Sequence, residues 1–234
     1  ADYKDWLNSY RNYIKNKGLE KYYPSITKLI TSLGDIMYYE HGRFLENVRI
    51  ADGADIYVFN GYEDMKNDNF SGAVDVFRNI KGTPELINHY AQPAFVAVKV
   101  REKIGHVGDT NLFDMFVVNE HAVPGGDYSI KAWVVTPKGD TDILYDGIVK
   151  VSGGDTFSDL AAAKIPVKLN KGIGYYKINA ELSDMSGKKV ASGYDDIFAL
   201  SDVNERQMAL YMQHYYNPVH RSTRVPRTRW CVMR

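Results

Sequence analysis

Cysteine is almost missing from this chain: Cys231 is the only one in 234 residues, so neither an internal disulfide framework nor a thiol cluster for structural zinc is available. Excess charge is missing too. The 29 basic residues are balanced by 29 acidic ones, which leaves no overall field to recruit nucleic acid or an anionic membrane. No apolar run approaches the roughly 18 residues of a membrane span, and no secretory signal pattern is visible. The chain begins at Ala1, not Met, so its N-terminus reads as processed, trimmed or never captured, and any targeting signal is missing with it; a periplasmic or secreted location is favoured over the cytoplasm. The six histidines, His41, His89, His106, His121, His214 and His220, never fall at the i, i+4 spacing of a helical zinc pair, so no metal site is expected. The glycines at 125–126, 153–154 and 172–174 lack the phosphate-cradling G-x-G-x-x-G spacing and read as hairpin turns, so no nucleotide or other cofactor is expected.

What is present is 44% hydrophobic residues, ample for real cores, in two differently patterned regions. Residues 1 to about 52 read as helices, over Tyr3 to Lys17, Ser25 to Thr31 and Ser32 to Ile50. Leu33, Ile36, Met37, Phe44 and Val48 recur at three- and four-residue steps and predict a buried face, with Ser32 as N-cap. Ala54 to Phe59 reads as an apolar strand that ends in Asn60, Gly61, Tyr62, Glu63 and Asp64. A strand with polar and aromatic groups at its C-terminal mouth suits a site for a hydroxyl-rich ligand, as over the strand ends of an α/β barrel; the plainer reading is a strand followed by a solvated turn. Pro84 to Tyr90 reads as a short helix. From about Val100 to Leu200 the period changes to two, in short runs separated by Pro124-Gly125-Gly126, Pro137-Lys138-Gly139-Asp140, Ser152-Gly153-Gly154 and Ser186-Gly187. This predicts an immunoglobulin-like antiparallel β-sandwich over 101–200. Asp140, Asp142, Asp155 and Asp159 lie where a sandwich rim could hold calcium, although turn aspartates usually bond their own backbone. Residues 201–234 form a basic tail: from Arg206 onward there are six Arg and neither Lys nor acid, whereas residues 1–205 hold eighteen Lys and five Arg. Such a tail reads as disordered and of frameshifted or artefactual origin, or alternatively as a nucleic-acid or anionic-surface adaptor.

Three phrases sharpen the reading of the first half: Tyr39-Glu40-His41-Gly42-Arg43-Phe44-Leu45-Glu46-Asn47-Val48-Arg49-Ile50-Ala51-Asp52, Asp55-Ile56-Tyr57-Val58-Phe59-Asn60-Gly61-Tyr62-Glu63, and Asn69-Phe70-Ser71-Gly72-Ala73-Val74-Asp75 with Arg78-Asn79-Ile80-Lys81-Gly82. In that order they resemble glycoside hydrolase family 2, which includes β-galactosidases, β-mannosidases and exo-β-glucosaminidases. The resemblance implies that residues 1–100 are the last βα units of a TIM barrel, that 101–200 are the sandwich after it, and that both catalytic glutamates of the retaining mechanism lie upstream of Ala1. A whole barrel takes about 250 residues, more than this region holds. A retaining pair needs carboxyl groups roughly 5 to 5.5 Å apart, and no convincing pair stands in the chain; Glu40 and Glu46 read as solvated or ion-paired helix residues. The resemblance makes Asn60, Tyr62 and Glu63 the substrate-binding residues, with Tyr62 where relatives carry Trp as the floor of the sugar site and Glu63 bonding a sugar hydroxyl. Phe70 stands where His is expected. The partner implied is a β-glycoside, met by the intact protein. The alternative is a non-catalytic carbohydrate-binding or cell-surface module, whose sandwich loops or exposed Tyr residues bind glycan. The two differ in the first 100 residues: a barrel remnant exposes a large apolar surface, while an autonomous module closes its own core.

Overall fold

The structure, a computed structural model, describes residues 2–58, 61–65 and 72–201. Its body is a two-sheet β-sandwich built from eight strands: β1 (Ala94–Val100), β2 (Ile104–His106), β3 (Thr110–Asn119), β4 (Gly126–Val135), β5 (Thr141–Val151), β6 (Ser158–Lys168), β7 (Gly174–Ser183) and β8 (Lys189–Leu200). One sheet has the order β1-β3-β6, the other β2-β8-β7-β4-β5. All pairings are antiparallel except β2 with β8. The period-two pattern dictates this arrangement, because alternate side chains of a strand point to opposite faces. In β7 the residues Tyr176, Ile178, Ala180 and Leu182 turn inward, and in β8 Ala191, Gly193, Asp195, Ile197 and Ala199 do so. They meet Val96, Val98, Phe113, Met115, Val117, Ile165 and Val167 of the other sheet in one continuous core. The two sheets come into close backbone contact where β1 meets β8: a Cβ placed on Gly193 would lie 1.6 Å from the Val96 carbonyl oxygen.

Three helices precede the sandwich: α1 (Asp2–Asn16), α2 (Ile26–Ala51) and the single turn α3 (Glu85–Asn88). The helices expected over 25–31 and 32–50 are one uninterrupted α2. Its N-cap is Ser25, whose hydroxyl accepts from the Lys28 N–H, while the Ser32 hydroxyl donates back to the Lys28 carbonyl at 2.8 Å within the helix. The expected buried face is also inverted. Leu33, Ile36 and Phe44 are 57%, 59% and 57% exposed, whereas Gly34, Tyr38, Gly42, Arg43 and Glu46 are buried. Small and charged residues form the seat of α2 because the surfaces under it are backbone and side-chain polar groups. A Cβ on Gly34 would fall 1.9 Å from the Lys81 carbonyl oxygen, and one on Gly42 2.4 Å from the Tyr90 ring. Only a small satellite core of Tyr90, Phe95, Ala97 and Val118, flanked by Leu45, Ile50 and Phe116, adds apolar contact beneath the helix.

The expected end of a TIM barrel is not what residues 1–100 form. Ala54 to Val58, part of the run predicted as a barrel strand, takes no strand conformation, and the β-structure among the described residues between α2 and α3 is isolated bridges, among them Glu63 with Val74 and Val74 with Ile80. The physical reason is lateral. A strand persists when its N–H and C=O groups are paired along a neighbour, and no described strand runs beside 54–58. Ile56 and Val58, the apolar residues that suggested a buried strand, are accordingly 79% and 76% exposed. The β-sandwich is the fold of the described chain.

Candidate functional site

Of the three residues predicted to bind substrate, two are described, Tyr62 and Glu63. Asn60 lies outside the described residues, as does Phe70. Tyr62 is 70% exposed, with its backbone carbonyl accepting from the Val74 N–H at 3.0 Å. Glu63 is half-buried, and one carboxylate oxygen accepts from Arg78 Nε at 2.9 Å. The ordering of this segment comes from its neighbours. Asp64 accepts from Lys81 Nζ at 2.9 and 3.0 Å and from the Gly72 N–H at 2.9 Å. From α2, the Tyr38 hydroxyl donates to the Ala73 carbonyl and accepts from the Lys81 N–H, while Asp35 Oδ1 accepts from the Thr83 N–H at 2.7 Å. Tyr62 and Glu63 thus stand on a loop pinned to α2, with the Glu63 charge already answered by Arg78. Because that ion pair is exposed, Glu63→Gln is expected to change stability by no more than about 0.5 kcal/mol, measured by urea denaturation; a larger loss would mean that the pair organises the loop.

The densest cluster of titratable groups lies elsewhere, between α2 and the sandwich. Asp195 of β8 is 2% exposed and receives four donors: Arg43 Nη2 at 3.1 Å, the Val100 N–H at 3.0 Å, the Asp196 N–H at 2.9 Å, and Lys103 Nζ. Glu46, 1% exposed, takes Lys99 Nζ at 2.9 Å and faces Arg43 Nη1 at 3.1 Å. Lys99 Nζ also donates to Asn47 Oδ1 at 2.8 Å. Burial alone would lower the Arg43 and Lys103 pKa values, but Asp195, joined at Arg43 by Glu46, holds both cations above their ordinary range. Burial pushes the Glu46 carboxyl up, against the pull of Arg43 and Lys99, and pushes the Lys99 ammonium down, against the pull of Glu46. Beside this network His89 sits against Tyr90 and Tyr194, with ring centroids 4.8 and 4.7 Å away, and burial, then Arg43 and Lys177, lower its pKa.

Both carboxylates are buried and held by cations. The chemistry of the cluster is that of a clamp. Glu46, expected as a solvated or ion-paired helix residue, is ion-paired, while Arg43, Lys99, Lys103 and Asp195 were not expected to be its partners or neighbours. A usable signal existed for Asp195, since it occupies an inward position in the alternation of β8, where a carboxylate needs buried partners. Among the described residues no group of three or more His, Cys, Asp or Glu is arranged to hold a metal ion, and no helix is long and apolar enough to cross a membrane. Of the aspartates considered for calcium, Asp159 is occupied by the Ser152 N–H and hydroxyl at 2.9 and 2.6 Å.

No family pattern and no curated protein matches the sequence. Solved structures similar to the chain include the CARDB domain of a Pyrococcus furiosus protein, determined with di-metal ions, at 13% identity and a TM-score of 0.34, covering 47% of this chain and 96% of that one. They also include the PKD domain of an M14-like peptidase from a Thermoplasmatales archaeon, at 16% identity and a TM-score of 0.30, covering 46% and 96%. A glycosyl hydrolase family 2 member from Bacteroides cellulosilyticus is similar at 13% identity and a TM-score of 0.33, covering 46% of this chain and 14% of that one. Similarity this low transfers no residue role.

Proposed function

We propose that this chain is a non-catalytic part of a glycoside hydrolase of the family 2 kind, acting on β-linked sugars in the intact protein, with α2 as the surface presented to the rest of the enzyme. The observation that carries the reading is the inverted helix. Arg43, Glu46, Gly34 and Gly42 seat α2 inward, and Ile30, Leu33, Ile36 and Phe44 are left 55% to 59% exposed. Ile56, Val58, Phe77 and Ile80 of the following segment are also exposed, at 59% to 82%. Apolar surface on this scale is characteristic of a face that another body covers. The ordered phrases from Tyr39 to Gly82 support the choice of enzyme class.

The test compares the chain alone with a version extended upstream in its own reading frame. The chain alone should show no hydrolysis of nitrophenyl β-glycosides and should bind the hydrophobic dye ANS, while the extended protein should hydrolyse one of those substrates and lose the dye signal. A chain that is monomeric and dye-silent by itself would remove the covering body, and hydrolysis by the chain alone would remove the non-catalytic assignment.

A further inference from the structure

His89, in the turn that carries α3, joins three parts of the fold. α2 rides directly on this turn: a Cβ on Gly42 would fall 2.6 Å from the Leu86 carbonyl oxygen, and Arg49 Nη1 donates to the Tyr90 carbonyl at 2.6 Å. Between those two points the His89 ring faces both sheets, its centroid 6.2 Å from Phe95 of β1 and 4.7 Å from Tyr194 of β8. What holds His89 in place therefore also holds the turn on which α2 rests.

Two features of its surroundings suit the neutral ring alone. The first is Gln92. Its Nε2 donates to the His89 carbonyl at 2.9 Å, which fixes the orientation of the amide, because a carbonyl oxygen can only accept. The same nitrogen lies 3.4 Å from His89 Nδ1, so Nδ1 accepts and the imidazole carries its proton on Nε2. The second feature is the pair of tyrosines that bracket the ring, since each already faces a cation. The Arg43 guanidinium lies 5.8 Å over Tyr90, and Lys177 Nζ of β7 lies 4.5 Å over Tyr194. The carboxylates on the surrounding elements are engaged elsewhere. Glu46 of α2 holds Arg43 and Lys99 of β1, Asp195 of β8 holds Arg43 and Lys103, Asp196 lies 3.5 Å from Lys103, and Glu85 of α3 is exposed. A second proton on His89 would meet the Gln92 N–H and place a third cation beside Arg43 and Lys177. Burial first, then Arg43 and Lys177, accordingly hold the His89 pKa below its ordinary 6.5.

We propose that His89 is an acid-operated catch, which as a neutral imidazole holds the α3 turn between α2 and β8 and on protonation releases it. Above about pH 6.5 the ring is neutral whether packed or released, and acid has no purchase on the catch. As pH falls below that value, the released ring takes up a proton that the packed ring refuses, so opening becomes more favourable until the packed ring titrates as well. At about pH 5.5, one unit below the free value, linkage raises the open population by at most about tenfold.

The test is hydrogen exchange of the full chain at about pH 7.5 and about pH 5.5, expressed as protection factors, together with NMR titration of the His89 ring. The Tyr90 and Ala91 amides, which donate to the Ile87 carbonyl, should lose protection severalfold at the lower pH, while amides of β4 and β7 keep theirs. His89→Gln and His89→Phe, neutral at either pH, should show no such loss; titrations shared with the wild type, those of His41 and Glu46 among them, cancel in the comparison. His41→Gln should respond as the wild type does. A loss that persists in the His89 variants, disappears in His41→Gln, is absent from the wild type or extends equally over β4 and β7 would overturn the catch. So would a His89 midpoint at or above pH 6.5, a measurement on the wild type that decides even where a variant does not fold.

Discussion

Asp195→Ala is expected to destabilise the protein by about 3–5 kcal/mol, the range for removing one partner of a buried ion network. The size follows from what the substitution leaves behind. Arg43, only 10% exposed at its side chain, loses the carboxylate to which it is hydrogen bonded, the Val100 N–H loses its acceptor, and Lys103 loses its main counter-charge. The neighbouring Asp196 is the control: its carboxylate is 45% exposed and lies 3.5 Å from Lys103, so Asp196→Ala should stay within about 0.5 kcal/mol. Chemical denaturation of both variants gives the comparison, and equal effects would show that Asp195 is not the centre of the clamp. Asp195→Asn separates charge from hydrogen bonding, since the amide oxygen can still accept from Val100 while the ionic attraction to Arg43 disappears.

Gly193→Ala is expected to cost about 3 kcal/mol or more, at or beyond the upper end of ordinary overpacking. The added methyl would stand 1.6 Å from the Val96 carbonyl oxygen. Both atoms belong to strands held in register by their own ladders, β8 against β7 and β1 against β3, so neither backbone can yield without breaking pairs. Gly147→Ala provides the contrast, because the closest atom there is the Tyr145 hydroxyl at 2.7 Å, the far end of a side chain that can swing away. Thermal melts, together with hydrogen exchange at the amides of β1, would register the difference. Similar melting temperatures for the two variants would mean that β1 slides over β8 more freely than its packing implies.

The sandwich was legible because alternation is a local property. Tyr176, Ile178, Ala180 and Leu182 announce β7 whatever surrounds them, and the Gly and Pro punctuation marks the turns. The orientation of α2 was not legible in the same way. Its apolar residues do recur at helical spacing, but spacing identifies a face without saying which body that face meets; the inward side is decided by Lys81, Tyr90 and Asp195, which lie 35 or more positions away in sequence. Ala54 to Val58 misled for a related reason, since its composition suits a strand but a strand also needs a lateral partner. Of the predicted site, Tyr62 and Glu63 proved to belong to one ordered loop, yet the Arg78 that occupies Glu63 could not be foreseen from a spacing of fifteen residues. The setting of His89 escaped notice because Arg43, Lys177 and Tyr194 come from distant stretches that share no motif.

The arrangement beneath α2 bears on how this protein can be cut and recombined. A single aspartate on β8 holds a helix, the end of β1 and a lysine just beyond it, so helix and sandwich are inherited together or not at all. A graft that starts after α2 would carry Asp195 into its new host without Arg43, and would leave Lys99 without Glu46. The natural seam for chimeras therefore lies ahead of Ser25, where the chain turns into the helix and Ser25 itself closes its first turn.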